Sequence, residues 1–127
     1  MMKYFALLGR ICYAAIFLMA GPNHFRASTI AYAASQGVPL APFAVPVSGA
    51  LAILGGLSIA LGFKARWGAW LIALFLIPVT LTMHRFWGLA DPQAAMVQQI
   101  MFMKNLSMLG AALLMAQVGS GPLSVRD

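Results

Sequence analysis

The residues of this sequence that could do chemistry are few, and nearly all are cationic or neutral. Arg10, His24, Arg26, His84, Arg85 and Lys104 supply charged or titratable groups, and Gln98, Gln99 and Asn105 supply amides. The only carboxylate side chains are Asp91 and Asp127. A serine or cysteine nucleophile needs a base and a group to orient it, and no acid stands near any candidate, which argues against hydrolysis. Cys12 is the single cysteine, so an intramolecular disulfide and a Cys-x-x-Cys centre are both excluded. Met101, Met108 and Met115 together with a histidine have the softness to hold Cu(I). Lys104 on nearly the same face disfavours a cation there, and methionine is a common filler of apolar packing. No metal site is expected. The chemistry left to these residues is recognition, in which cations and amide donors meet an electron-rich oxygen such as a quinone carbonyl or a lipid phosphate.

The elements that must position them follow from composition. The 127 residues are 62% hydrophobic and only 8% charged, with a mean hydropathy of +0.89. A soluble domain carries about 25% charged residues, and ten charged side chains cannot cover the surface of so small a fold. The formal charge of +6 comes from Lys and Arg scattered singly between apolar runs, unlike the clustered basic face of a nucleic-acid binder. No nucleic-acid partner is expected, and the lipid bilayer is the predicted surrounding.

A spanning helix needs about 20 mainly apolar residues. The sequence predicts four, at about 4–22, 43–63, 67–86 and 96–118. Barrel-type alternation is absent, so helices are the spanning option. The expected fold is all-α: one domain over residues 1–127, an integral membrane antiparallel bundle of four helices. Ser28 as a cap, and Gly37 with Pro39 as a stop, predict a short helix at 28–36 lying at the membrane interface between the first two spans. Pro39, Pro42 and Pro46 then predict an extended entry into the second span. Met1–Lys3 and the run after it resemble a signal peptide, but Arg10 interrupts the hydrophobic region, and the first span is expected to be retained. Lys3, Lys64, Arg66 and Arg126 fall at one end of the bundle and Arg26 and Arg85 at the other, which predicts both termini in the cytoplasm.

Helix faces add further expectations. Ser48, Ala52, Gly56 and Ala60 form a small-xxx-small ridge in the second span, suited to close packing inside the bundle or to a homodimer face. Trp67 and Trp70 at one end of the third span, with Phe86 and Trp87 at the other, read as aromatic belts, and Pro78 predicts a kink. Arg10 and Lys104 are charges at membrane depth, where function concentrates. Snorkelling of their long side chains is the alternative for both. With no acid in any span, their partners must be backbone carbonyls, water, lipid phosphates or an electron-rich ligand. His24, Arg26, His84, Arg85, Lys104 and Asn105 all fall in one leaflet of an antiparallel bundle and predict a polar pocket.

Gly9-Arg10, Phe17, GPNHF at 21–25, AYAASQGVP at 31–39, LGGLSIALGF at 54–63, HRFW at 84–87 and KNLSMLGAALL from Lys104 occur in an order that resembles the DoxX family of small bacterial membrane proteins. The resemblance implies a four-helix protein of the cytoplasmic (inner) membrane. It also implies kinship with quinone-reducing thiosulfate oxidoreductase subunits and with components of membrane-bound oxidative-stress complexes. Many members carry an acid just before the Gly-Gly pair of the second span, where this sequence has Ala52.

The expected function is accessory rather than catalytic. The protein is expected to serve a membrane redox system, with a quinone headgroup or anionic lipid held by Lys104 and Asn105, assisted by His84, His24 and Arg85, and with Arg10 anchoring the opposite end. Two rivals stand beside it: a quinone-reducing subunit that borrows its redox centre from a membrane oxidoreductase partner, and a purely structural or assembly protein acting through the Ser48–Ala60 ridge.

Overall fold

The structure, a computed structural model, describes residues 2–125. Met1, Arg126 and Asp127 lie outside the described residues, and Arg126's share of the charge bias lies there with it. The chain forms α1 (Met2–Ala20), a 3-10 turn (Gly21–Phe25), α2 (Ala27–Ser35), α3 (Ala41–Leu61), α4 (Ala65–Met83) and α5 (Pro92–Val118). α1 with its 3-10 extension, α3, α4 and α5 are each long and apolar enough to cross a membrane. Helix is what such sequences must form in lipid, because every backbone N–H and C=O is then paired within its own segment.

The helix boundaries have local causes. Gly37 takes a φ of 91° just after α2, and Gly62 a φ of 69° at the end of α3, left-handed positions at which glycine escapes the Cβ penalty. Asp91 caps α5 by accepting from the Gln93 N–H, and Pro92 fills the first helical position, where no N–H is needed. Two local expectations are corrected. Ser28 lies inside α2 rather than capping it, and Arg26 holds the cap position without a side-chain bond. Pro42 and Pro46 belong to α3 instead of an extended entry. Pro42 sits in the first turn, and the N–H that Pro46 lacks would have met the Pro42 carbonyl, at the end of the helix where loss of one bond is least costly. α4 likewise runs on through Pro78.

α3 is the central element, packed against both α1 and α4, while α5 packs on α4 and reaches α1 at the Tyr13–Met108 contact. Small residues allow the close crossings. A Cβ added at Gly56 would meet Leu18 at 3.1 Å, and one at Gly49 would meet the Gly21 carbonyl at 2.7 Å. On the other flank, Gly55 is 3.0 Å from the Gly68 carbonyl by the same measure. The core between these helices holds Ala14, Phe17, Ala52, Ile59, Ile72 and Leu76. The Ser48–Ala60 ridge is therefore turned toward α1 and the core: Ala52 and Gly56 are buried, while Ser48 and Ala60 are half-buried. α2 packs on the start of α3 through Ala33, Ala41 and Val45, with Met83 of α4 beside them.

After α5 the chain turns back beneath the bundle. The Ser120 hydroxyl oxygen accepts from the Ala65 N–H at 3.2 Å, and the Val125 N–H donates to the Leu61 carbonyl at 2.9 Å. This segment closes the end of the bundle at which α1 begins and α3 ends.

Candidate functional site

Arg10 is the most buried cation among the described residues, 6% exposed on the inner face of α1. Its guanidinium donates to the carbonyls of Ser120 and Pro122, both at 2.7 Å, and of Leu123 at 2.6 Å. Side chains on a helix lean toward its N-terminus, and α1 begins at the closed end, so Arg10 leans directly into the returning segment. Arg66, near the start of α4, donates to the carbonyls of Ala116, Gln117 and Val118. Those are the last carbonyls of α5, which have no partner within the helix. Both arginines thus bind backbone at the end of the chain.

The polar groups of the other end are distributed rather than gathered. His24, in the 3-10 turn, reaches inward between α3 and α4. Its ring lies 5.5 Å from that of Phe75, and its Nδ1 is 2.8 Å from the Ser48 hydroxyl. Because that hydroxyl donates to the Val45 carbonyl at 2.6 Å, its oxygen accepts from His24 Nδ1–H. His84 follows the end of α4 and donates from Nδ1 to Gln98 Oε1 at 3.0 Å. Nine residues separate Phe75 from His84, about 13 Å of helix rise, so the two histidines stand at different depths. Arg85 donates to the Gln36 carbonyl after α2 at 2.9 Å, and Arg26 is exposed. Phe86, Trp87 and Phe102 form an edge-to-face trio that ties the α4–α5 connection to α5. Trp67, Trp70 and Trp87 are exposed.

Lys104 stands apart from all of these. It is exposed on α5 and lines a shallow open groove with Met96, Gln99, Ile100, Met103 and Ser107. All six come from one helix, so the groove is an outer face of α5 and not an interior chamber. Lys104 lies six residues beyond Gln98, about 9 Å of rise below the His84–Gln98 pair. The N-terminus of α5 is at that same end, so the side chain leans up toward the headgroup level. No carboxylate pairs with Lys104 among the described residues. Asn105, one position on, is half-buried and has no hydrogen-bond partner among them. At the position where the resemblance implies an acid, Ala52 is fully buried in apolar packing.

Sequence reasoning missed three contacts. The Tyr13 hydroxyl donates to the Met108 carbonyl, joining α1 to α5. The Arg66 clasp and the returning C-terminal segment were also unforeseen. Gly119, Gly121 and Pro122 signalled a turn there, but nothing in their types said that it would fold back under Arg10.

Ten charged residues, four apolar spans and a core of alanine, glycine and branched aliphatics define a multi-pass α-helical membrane protein. The DoxX family model matches residues 5–85, and the chain belongs to the DoxX family. It is 30% identical over 121 residues to the inner membrane protein YphA of Escherichia coli (strain K12), covering 94% of this chain and 86% of the relative. It is 34% identical over 121 residues to the inner membrane protein YqjF of the same organism, covering 94% and 87%. A stretch of 77 residues is 29% identical to the ER-derived vesicles protein ERV29 of Saccharomyces cerevisiae, covering 61% of this chain and 24% of that one. No solved structure matches the chain. With its four apolar helices and inner-membrane relatives, the protein is a multi-pass inner membrane protein.

Proposed function

We propose that this single-domain protein is an accessory, non-catalytic component of a membrane redox system, and that it holds an oxygen-bearing headgroup at Lys104. The observation that carries this reading is an ammonium at membrane depth, turned outward, with no acid beside it among the described residues. A charge at a helix centre costs on the order of 2.5–3.5 kcal/mol on insertion scales, and an anionic partner offsets that cost. Gln99 and Ser107 lie on the same face and supply further polar groups, while Met96, Ile100 and Met103 suit an acyl or isoprenoid chain. The open groove fits the phosphate of an anionic lipid more readily than a quinone ring, which needs an enclosing slot. A quinone would place a carbonyl oxygen at the same ammonium. His84, His24, Arg85 and Arg10 each have protein partners elsewhere and shape the bundle, so Lys104 carries the binding, with Asn105 one position on from it. Electron transfer to a quinone would require a redox centre from a partner protein.

The protein is oriented with both ends in the cytoplasm, on the excess of Lys3, Lys64 and Arg66 over Arg26 and Arg85, and α2 rests at the opposite interface. Native mass spectrometry of the protein gently extracted from its own membrane tests the reading. A retained anionic lipid or quinone that is lost in Lys104→Leu supports it, and a co-purified oxidoreductase identifies the redox system. Equal retention by Lys104→Leu and the native protein overturns it.

A further inference from the structure

The Arg10 clasp is unusual in what fills it. A guanidinium has five N–H donors and keeps its charge under all conditions, yet here its partners are the neutral carbonyls of Ser120, Pro122 and Leu123. Its Nε is buried and has no acceptor among the described residues. The bonds to these carbonyls are already charge-assisted, but a carbonyl brings no charge to neutralise the guanidinium, whereas a phosphate does so and can accept from two N–H groups at once. The segment that fills it is buried at Gly119 and Ser120 and mostly exposed beyond them. Gly121, Pro122, Leu123 and Val125 are exposed. Leu123 adopts a φ of 55°, a left-handed conformation unfavourable for a residue with a Cβ. The segment also meets the body at the α3–α4 turn, through the buried Ser120 hydroxyl on the Ala65 N–H, the Val125 N–H on the Leu61 carbonyl, and Ser124, which lies against Gly62. Arg66 secures the end of α5 separately, so the segment can leave without unravelling the helix behind it.

We infer that Gly119–Val125 is a displaceable strap that occupies Arg10 in place of an oxyanion, and that a lipid phosphate of the adjoining leaflet competes with it. Displacement exchanges three neutral acceptors for one ionised group, gives Nε a partner and relieves the Leu123 backbone. It opens the end of the bundle at which the chain begins. This site is at the opposite end from Lys104 and stands independently of the reading given above.

The test places a thiol on the inner side of the strap. Ser124 is half-buried against Gly62, so Ser124→Cys in a Cys12→Ala background reports opening through its rate of reaction with N-ethylmaleimide, followed by mass spectrometry. The full chain is reconstituted in vesicles of phosphatidylcholine alone or with phosphatidylglycerol. Labelling is expected to be slow in phosphatidylcholine and several-fold faster with phosphatidylglycerol. Arg10→Gln is expected to be fast in both. Acceleration by inorganic phosphate in phosphatidylcholine alone would keep the strap and identify a free anion as the competitor. Equal rates in the two lipids and with phosphate overturn the inference, and that comparison needs no Arg10 variant to fold. Slow labelling of a folded Arg10→Gln overturns it as well.

Discussion

Arg10 and Lys104 look alike in the sequence, each a lone cation about two turns into a span, and their surroundings make them opposites. Arg10 is buried and held by three backbone carbonyls, whereas Lys104 is exposed and unpaired among the described residues. Replacing Arg10 with Met strands the buried Ser120 carbonyl and frees the returning segment. The expected loss is about 2–4 kcal/mol, since bonds from a charged donor are worth about 1.5–3 kcal/mol and the exposed Leu123 carbonyl can turn to water. A lowered midpoint of thermal unfolding in detergent micelles checks it. Lys104→Leu breaks no hydrogen bond or ion pair among the described residues, so in lipid-stripped micelles it should leave that midpoint unchanged or slightly raised. Tyr13→Phe deletes the bond to Met108 and should cost about 1 kcal/mol in the same measurement. The sequence made the depth of both cations legible. It could not tell them apart, because the partner of Arg10 lies 110 residues away or more.

At the scale of helices, glycine position decides packing. A Cβ at Gly68 would strike the Ser58 side chain and stand 3.1 Å from the Gly55 carbonyl. Gly68→Val should therefore force α3 and α4 apart and cost about 1–3 kcal/mol or more. Gly110 in α5 has open space around it, so Gly110→Ala should stabilise by about 0.5–1 kcal/mol through helix propensity alone. Paired thermal unfolding of the two variants separates the effects; equal losses would contradict the packing described. The small-residue ridge was visible as a four-residue spacing that favoured packing inside the bundle, with a second copy as the alternative. Its burial against Phe17 and Leu18 turns that surface inward. The proline series misled because a proline reads as a break, whereas the first turns of a helix and bonds near its end tolerate one.

For the whole molecule, the antiparallel order puts the start of α1, the α3–α4 turn and the end of α5 together, and the C-terminal segment closes that end. Reporter domains fused at the C-terminus should be active only when they function in the cytoplasm, and a periplasmic reporter active there would reverse the proposed orientation. Fold class and membrane location followed from the sequence alone, because a chain with so few charges has no soluble solution and lipid leaves its backbone only the helix. The four spans were legible to within a few residues for the same reason. The fate of the polar side chains was decided by tertiary structure. The 3-10 turn drew His24 inward to Ser48, the rotation of α5 turned Lys104 outward, and the returning segment reached Arg10. Each outcome depends on helix rotation and on contacts between distant residues, which hydropathy and spacing do not encode.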